Sequence, residues 1–179
     1  LAMINQKDLS EKMSKDINEM EKMLNDYLQF AKTQSQENTT KINLYNLFNE
    51  IKKDLNNKNL ILVDLENIIL KGRSSSLRRC FENIIQNGLS YGKNVYVKLQ
   101  RSSNRIIINI EDDGPGIPED QYKNVFKPFF RLDKSRSMNK AGVGLGLAIV
   151  EDIINSHGGN ILLGKSKKNG LLVKISLPF

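Results

Sequence analysis

The sequence predicts an α+β protein preceded by a long, coiled-coil-like helix, and three observations carry that expectation. Residues 13, 17, 20, 24, 27 and 31 are Met, Ile, Met, Leu, Tyr and Ala, a heptad seam with gaps alternating four and three. A later segment repeats apolar side chains at 77, 81, 84, 85 and 89, which is a helical period. Around it lie short apolar or alternating runs that read as strands, punctuated by two glycine clusters, Asp112-Asp113-Gly114-Pro115-Gly116-Ile117 and Gly142-Val143-Gly144-Leu145-Gly146-Leu147.

In chain order, the seam places an amphipathic helix over residues 10–32. Asp8, Ser10, Lys15, Asp16, Glu19, Glu21 and Lys22 sit off its stripe, so the apolar side is expected to pack on partner helices. Residues 33–40 are polar and read as a linker, dividing the chain into an N-terminal helical part over 1–35 and a domain over 41–179. A shorter helix is expected at 43–55 and strands near 60–63 and 68–70. After the helix of 77–91 come strands at 95–99 and 105–111. The second glycine cluster leads into a helix through Ala148-Ile149-Val150-Glu151-Asp152-Ile153-Ile154, and strands at 161–163 and 171–177 complete the sheet.

Composition agrees. A chain of 179 residues, 39% hydrophobic and 26% charged, suffices for one core with an appendage. The net charge of +7 is spread over scattered Lys and Arg, so no direct nucleic-acid binding is expected. A single cysteine excludes an internal disulfide, and Cys80 stands among apolar helix neighbours, where a buried thiol is expected. No run approaches the roughly 18 apolar residues of a membrane-spanning helix, and no signal peptide opens the chain, so this segment is expected to be soluble.

The chemistry lies in the glycine clusters and the helix between strands. Glycines let backbone N–H groups approach phosphate oxygens, and a helix N-terminus adds partial positive charge where those anions lie. Asn83 and Asn87 are four apart and share a helix face. An amide oxygen is a hard, neutral ligand suited to Mg²⁺, which is shared with substrate phosphates rather than caged by protein; the alternative is a pair of solvated helix residues.

Together these segments resemble the N, G1 and G2 boxes of the histidine kinase ATP-binding domain, and Val125-Phe126-Lys127-Pro128-Phe129-Phe130-Arg131, lying between G1 and G2, resembles its F box. The similarity is to sensor histidine kinases of two-component systems, EnvZ-type osmosensor kinases in particular, and spans nearly the whole chain. It implies the Bergerat or GHKL fold, a two-layer α/β sandwich, with ATP and Mg²⁺ as cofactors and phosphoryl transfer from ATP to a histidine nitrogen as the reaction. By the same resemblance Asp112 accepts the adenine exocyclic amine. Gly114 and Gly116 keep the adenine pocket open, and Ile117 packs near the ring. Asn87 is the first Mg²⁺ ligand and Asn83 the second, and Tyr91 borders the nucleotide. Gly142, Gly144 and Gly146 wrap the phosphates, and Leu145 and Leu147 anchor the following helix to the sheet. Asn83, Arg131 and Arg136 stand nearest the transferred phosphate, the two arginines in a lid.

Some positions depart from the family wording. A cation commonly precedes the N-box tyrosine; here it is Ser90, so phosphate affinity falls to the lid arginines, with Lys134 and Lys140 as partial replacements. ATP-hydrolysing members carry a glutamate four residues before the metal asparagine; here it is Asn83, which cannot act as a general base. Glu82 lies about 100° away around the helix, and Asp113 is expected to have only a surface role.

The seam resembles the second helix of the dimerisation and phosphotransfer hairpin, whose first helix carries the phosphoacceptor. The only histidine here, His157, stands before Gly158-Gly159 at a helix end, where it is expected to meet terminal carbonyls rather than accept phosphate. Leu1 is not an initiator methionine, so the chain is expected to be a fragment unable to autophosphorylate. For the intact protein the resemblance implies a homodimer anchored in the bacterial inner membrane, with this segment cytoplasmic and an OmpR-type response regulator as partner. A GHKL-type ATPase, an anti-sigma type serine kinase and a degenerate nucleotide-binding module are the competing expectations.

Overall fold

The computed structural model describes residues 37–132 and 144–179, with residues 9–11, 13–14, 17–18 and 20–21 of the N-terminal helix. Alternation of apolar side chains dictates the sheet. In β4 (Val95–Ser102) Val95, Val97 and Leu99 are buried, and in β5 (Arg105–Asp112) Ile106, Ile108, Ile110 and Asp112 are buried, so one face of each strand turns inward. With β2 (Leu60–Leu65), β6 (Asn160–Lys165) and β7 (Leu171–Pro178) they form a five-stranded sheet in the order β2-β4-β5-β7-β6. The β2–β4 pair is parallel and the other neighbours antiparallel. Register aligns the inward rows: Leu99 lies opposite Ile108, Ile108 opposite Ile175, and Ile175 opposite Ile161.

Helices α1 (Leu44–Leu55), α2 (Ser74–Tyr91) and α3 (Gly146–Ser156) contribute apolar side chains to one core with these rows. Phe48 of α1 and Phe81 of α2 are fully buried with ring centroids 4.7 Å apart. Cys80 is buried, as expected, and burial pushes its thiol up, which makes it inert. Arg78 of α2 pairs with Glu82 at 2.9 Å, Glu50 at 3.5 Å and Asp54, pinning α1 to α2 on their outer side. That contact gives Glu82 a structural occupation.

Two sequence expectations change. The strand near 68–70 is β3 (Ile69–Gly72), and it pairs with β1 (Thr40–Asn43) in a separate two-stranded antiparallel sheet. Residues 40–43, of which 40 was expected to end the linker and 43 to start a helix, therefore form a strand; Asn43 is the N-cap of α1, its side chain accepting from the Asn46 N–H at 3.1 Å. A four-residue strand that buries only Ile42 carries too little alternation to be legible. Helix α2 begins at Ser74, earlier than its apolar period suggests. Arg73 at its N-cap provides no side-chain cap, and Glu37 supplies one instead. The Glu37 carboxylate accepts from Ser75 N (2.6 Å), Ser76 N (3.1 Å) and Ser76 Oγ (2.8 Å).

Of the heptad seam, Met13, Ile17 and Met20 are helical and more than half exposed. Leu24, Tyr27 and Ala31 lie outside the described residues.

Candidate nucleotide site

Strand β5 ends in two carboxylates that the fold treats in opposite ways. Asp112 ends the inward row and is only 8% exposed. Its Oδ1 accepts the Gly114 N–H at 2.8 Å and the Leu171 N–H at 3.1 Å, and no described residue donates to Oδ2. Burial pushes its pKa up; those two hydrogen bonds oppose the shift, and the neighbouring Asp113 charge adds to it. Asp113 turns the other way. It accepts from Asn94 N (2.8 Å), Asn94 Nδ2 (2.7 Å) and Lys93 N (2.7 Å), which hold its carboxyl below the usual range. Asp113 thus closes the α2–β4 turn, a role the sequence did not suggest.

Helix α2 runs past this carboxylate. At Gly88 an added Cβ would meet the Val95 side chain at 2.7 Å and the Cβ of Asp112 at 3.4 Å, so the helix lies directly against the end of β5. Asn87, one residue earlier, is half-buried, and Tyr91, one turn later, is 37% exposed. The backbone of Tyr91 touches the G1 turn, its carbonyl 3.0 Å from where a Gly114 Cβ would be. Asn83 faces the start of α3, its amide 3.9 Å from the Cβ position of Gly146. The Asn83 Nδ2 is buried and has no hydrogen-bond partner among the described residues, a donor suited to an anionic oxygen. Ser90 is exposed and turns its hydroxyl back to the Gln86 carbonyl at 2.7 Å.

The second glycine cluster is tied to the F-box segment. Two 3-10 turns, Glu119–Gln121 and Asn124–Phe126, carry Tyr122 and Phe126, which pack on the core beside Ile117. Gly144 adopts φ +82 and accepts from the Phe129 N–H at 2.9 Å; a Cβ there would stand 2.8 Å from the Phe130 carbonyl oxygen, so the turn requires glycine. Leu145 is buried in the core and Leu147 is only half-buried outside it, so of the two expected anchors the inner one does the packing. Gly146 opens α3 with Asn83 of α2 nearby, and the first N–H groups of the helix have no intrahelical partner. Arg131, the last residue of the F box, is half-buried. Gly142, Arg136, Lys134 and Lys140 lie outside the described residues.

His157 ends α3 with both ring nitrogens occupied. Nδ1 stands 2.7 Å from the Ile153 carbonyl and Nε2 accepts the Arg73 N–H at 3.1 Å, which selects the neutral tautomer protonated on Nδ1. Burial lowers its pKa. The helix-end role was legible; the contact to Arg73 was not.

The fold therefore gathers Asp112, Gly114, Gly116, Ile117, Asn83, Asn87, Tyr91 and the start of α3 around one end of the sheet. A buried carboxylate with one unengaged oxygen suits an amine, and an unpaired amide donor beside a helix N-terminus suits phosphate. Among the described residues no three acidic, His or Cys side chains cluster as a metal cage, so a divalent cation fits here only if phosphates supply most of its ligands, with the Asn87 and Asn83 amides contributing. Sequence reasoning missed Gly170 and the Leu171 N–H, which reach Asp112 from the β6–β7 turn. The Asn169-Gly170 pair is a turn signal, but nothing in it indicates where the turn lands.

Comparison with known proteins agrees with this geometry. Residues 72–179 match the family described as histidine kinase-, DNA gyrase B-, and HSP90-like ATPase. The sensor histidine kinase GtrS of Pseudomonas aeruginosa is 33% identical over 172 residues, 95% of this chain and 36% of that protein. Among solved structures, the histidine kinase domain of the Escherichia coli osmosensor EnvZ superposes with TM-score 0.61 at 31% identity, covering 82% of this chain and 92% of that one. The mycobacterial sensor histidine kinase MprB gives TM-score 0.68 at 26% identity, covering 78% and 97%. The chain spans about a quarter to a third of the length of the curated relatives it matches. These matches place the protein in the histidine kinase-, DNA gyrase B-, and HSP90-like ATPase family, as an ATP-binding catalytic domain of the sensor histidine kinase type.

Proposed function

We propose that the chain binds ATP with Mg²⁺ at the end of β5 and presents the γ-phosphoryl group to a histidine on a hairpin helix of the intact kinase. The observation that carries this is Asp112, buried, fixed through Oδ1 and leaving Oδ2 for the adenine amine. Guanine presents a carbonyl at that place, so the same carboxylate rejects it. Asn83 donates to a phosphate oxygen through its unpaired Nδ2, and Asn87 supplies an amide oxygen to the cation. The cation neutralises phosphate charge when bound. Gly144 and Gly146 let the start of α3 approach the phosphates, and Arg131 and Arg136 complete the charge on the lid side.

One feature favours kinase over ATPase chemistry. Asn83 is an amide and cannot deprotonate water. His157 is committed at both nitrogens to the fold, so the acceptor is a different histidine. Residues 1–35 serve as the second helix of the dimerisation hairpin, the intact protein is a membrane-anchored homodimer with this part in the cytoplasm, and an OmpR-type response regulator takes the phosphate.

Calorimetric titration with ATP, with and without Mg²⁺, beside Asp112→Asn tests the site. Mg²⁺-dependent binding that the substitution removes is the expected result. Equal binding by the folded variant would reject the assignment. Label from γ-labelled ATP should then move to a His-bearing hairpin added separately, and label retained on this chain alone would contradict the reading.

A further inference from the structure

We propose that the β6–β7 turn is the device that orients Asp112 toward the base, with Gly170 as the position where the two backbones meet and the Ser166–Glu111 hydrogen bond as its lock. This rests on the reading of Asp112 as the adenine acceptor. A carboxylate accepts from an amine and repels a carbonyl, and it does so at a defined place only when one oxygen is held so that the other is aimed. Two N–H groups hold Oδ1, from Gly114 and from Leu171. The first is local, two residues along the chain. The second arrives from a turn 59 residues away in sequence, so its reach depends on how that turn is seated.

The seating is close. Gly170 is buried, and a Cβ built on it would lie 2.7 Å from the carbonyl carbon of Asp112 and nearer still to its carbonyl oxygen and Oδ1. Any side chain would push the turn off the strand and carry the Leu171 N–H with it. The turn is also locked from its other end. Ser166 is 4% exposed; its Oγ donates to Glu111 Oε2 at 2.7 Å and accepts the Lys168 N–H at 2.9 Å. The Lys167 N–H donates to the same Glu111 oxygen at 3.1 Å. Within the turn Ser166 N donates to the Gly170 carbonyl at 2.9 Å and Asn169 N to the Ser166 carbonyl at 3.1 Å. Glu111 immediately precedes Asp112, so the lock and the carboxylate it serves share one strand end. Gly116 of the opposite turn packs on the same place, its Cβ position 3.3 Å from the Gly170 carbonyl oxygen. The turn therefore bridges both sides of the base-reading residue without itself offering a side chain to the ligand.

These are positioning residues, and their signature is selectivity. The test is calorimetric titration of the 179-residue chain with ATP and with ITP, whose base carries a carbonyl in place of the amine, each variant being checked for cooperative unfolding. Ser166→Ala and Glu111→Ala should weaken ATP about tenfold and leave ITP within about twofold, an ATP-to-ITP ratio reduced by roughly 1.4 kcal/mol. Glu111→Gln keeps an acceptor oxygen for both donors and should restore the wild-type ratio. Gly170→Ala should abolish the preference for ATP; should it fail to fold, the Ser166 and Glu111 variants carry the test alone. An unchanged ratio in folded Ser166→Ala and Glu111→Ala would overturn the proposal, as would a parallel loss of both nucleotides, which would mark the turn as purely structural. If instead the wild type bound no ATP, or Asp112→Asn bound it equally, the underlying site reading would fall and this inference with it, a result distinct from the first two.

Discussion

At the scale of residues, burial and hydrogen bonding set two neighbouring carboxylates apart. Asp112 and Asp113 are adjacent in sequence, yet one carboxyl is raised and the other lowered in pKa, because burial dominates the first and hydrogen bonds from the α2–β4 turn dominate the second. In Asp112→Asn a single carbonyl oxygen cannot serve the two backbone donors and the adenine amine together. If it stays on the backbone, the amide N–H₂ faces the amine, a donor against a donor. We expect ATP affinity to fall by about 1–3 kcal/mol, while GTP, with a carbonyl at that place, loses less; competitive titration measures both. His157 provides the pH prediction. Its folded pKa is depressed by burial, so the unfolded chain takes up the proton first as pH falls. The stability due to the neutral ring is present above the ordinary value of 6.5 and is lost as pH drops from there toward the lower folded value. Thermal melts at pH 7.5 and 5 should therefore converge in His157→Gln relative to wild type. A pH slope identical in both chains would show that the ring does not report on folding. The motif singled out Asp112, but its second donor was not legible, because Leu171 arrives only when β7 pairs with β5.

At the scale of elements, helix interiors and the ends at Leu55 and Tyr91 were legible, and the start of α2 was not. The apolar repeat at 77, 81, 84, 85 and 89 identifies α2 because a 3.6-residue period is a property of local sequence. Its first turn begins three residues earlier, and the cap comes from Glu37, 38 residues before Ser75. Burial works against the Glu37 charge, but the hydrogen bonds from Ser75 and Ser76 outweigh it and hold the carboxyl below its usual range. Removing the cap leaves first-turn donors unmatched next to the positive end of the helix dipole. Glu37→Ala should cost about 1 kcal/mol, read as a lower urea midpoint with an unchanged m-value; an unaltered midpoint would show that water satisfies those donors equally well. The β1–β3 pair illustrates the same limit. Each strand is four residues long with little apolar alternation, so pairing across the intervening helix and strand decides both.

At the scale of the whole molecule, the N-terminal seam and the nucleotide end impose different demands. Met13, Ile17 and Met20 each expose over half their surface on one helical stripe, an apolar seam that favours association. Sedimentation equilibrium should show concentration-dependent self-association of the chain, lost in Met13→Glu/Ile17→Glu/Met20→Glu while ATP affinity is retained; a wild type monomeric at high concentration would contradict it. The two glycine clusters, the asparagine pair and the alternating strands were determined by sequence alone, since each depends on spacing within a few residues of backbone. That was enough for the fold class and the family. Only the tertiary structure decided which oxygen of Asp112 is held by backbone donors, that Gly170 must be bare, that Glu37 caps α2 and that His157 spends both nitrogens on the fold. Each of those depends on atoms brought within about 3 Å from segments far apart in the chain, a relation that local periodicity does not encode.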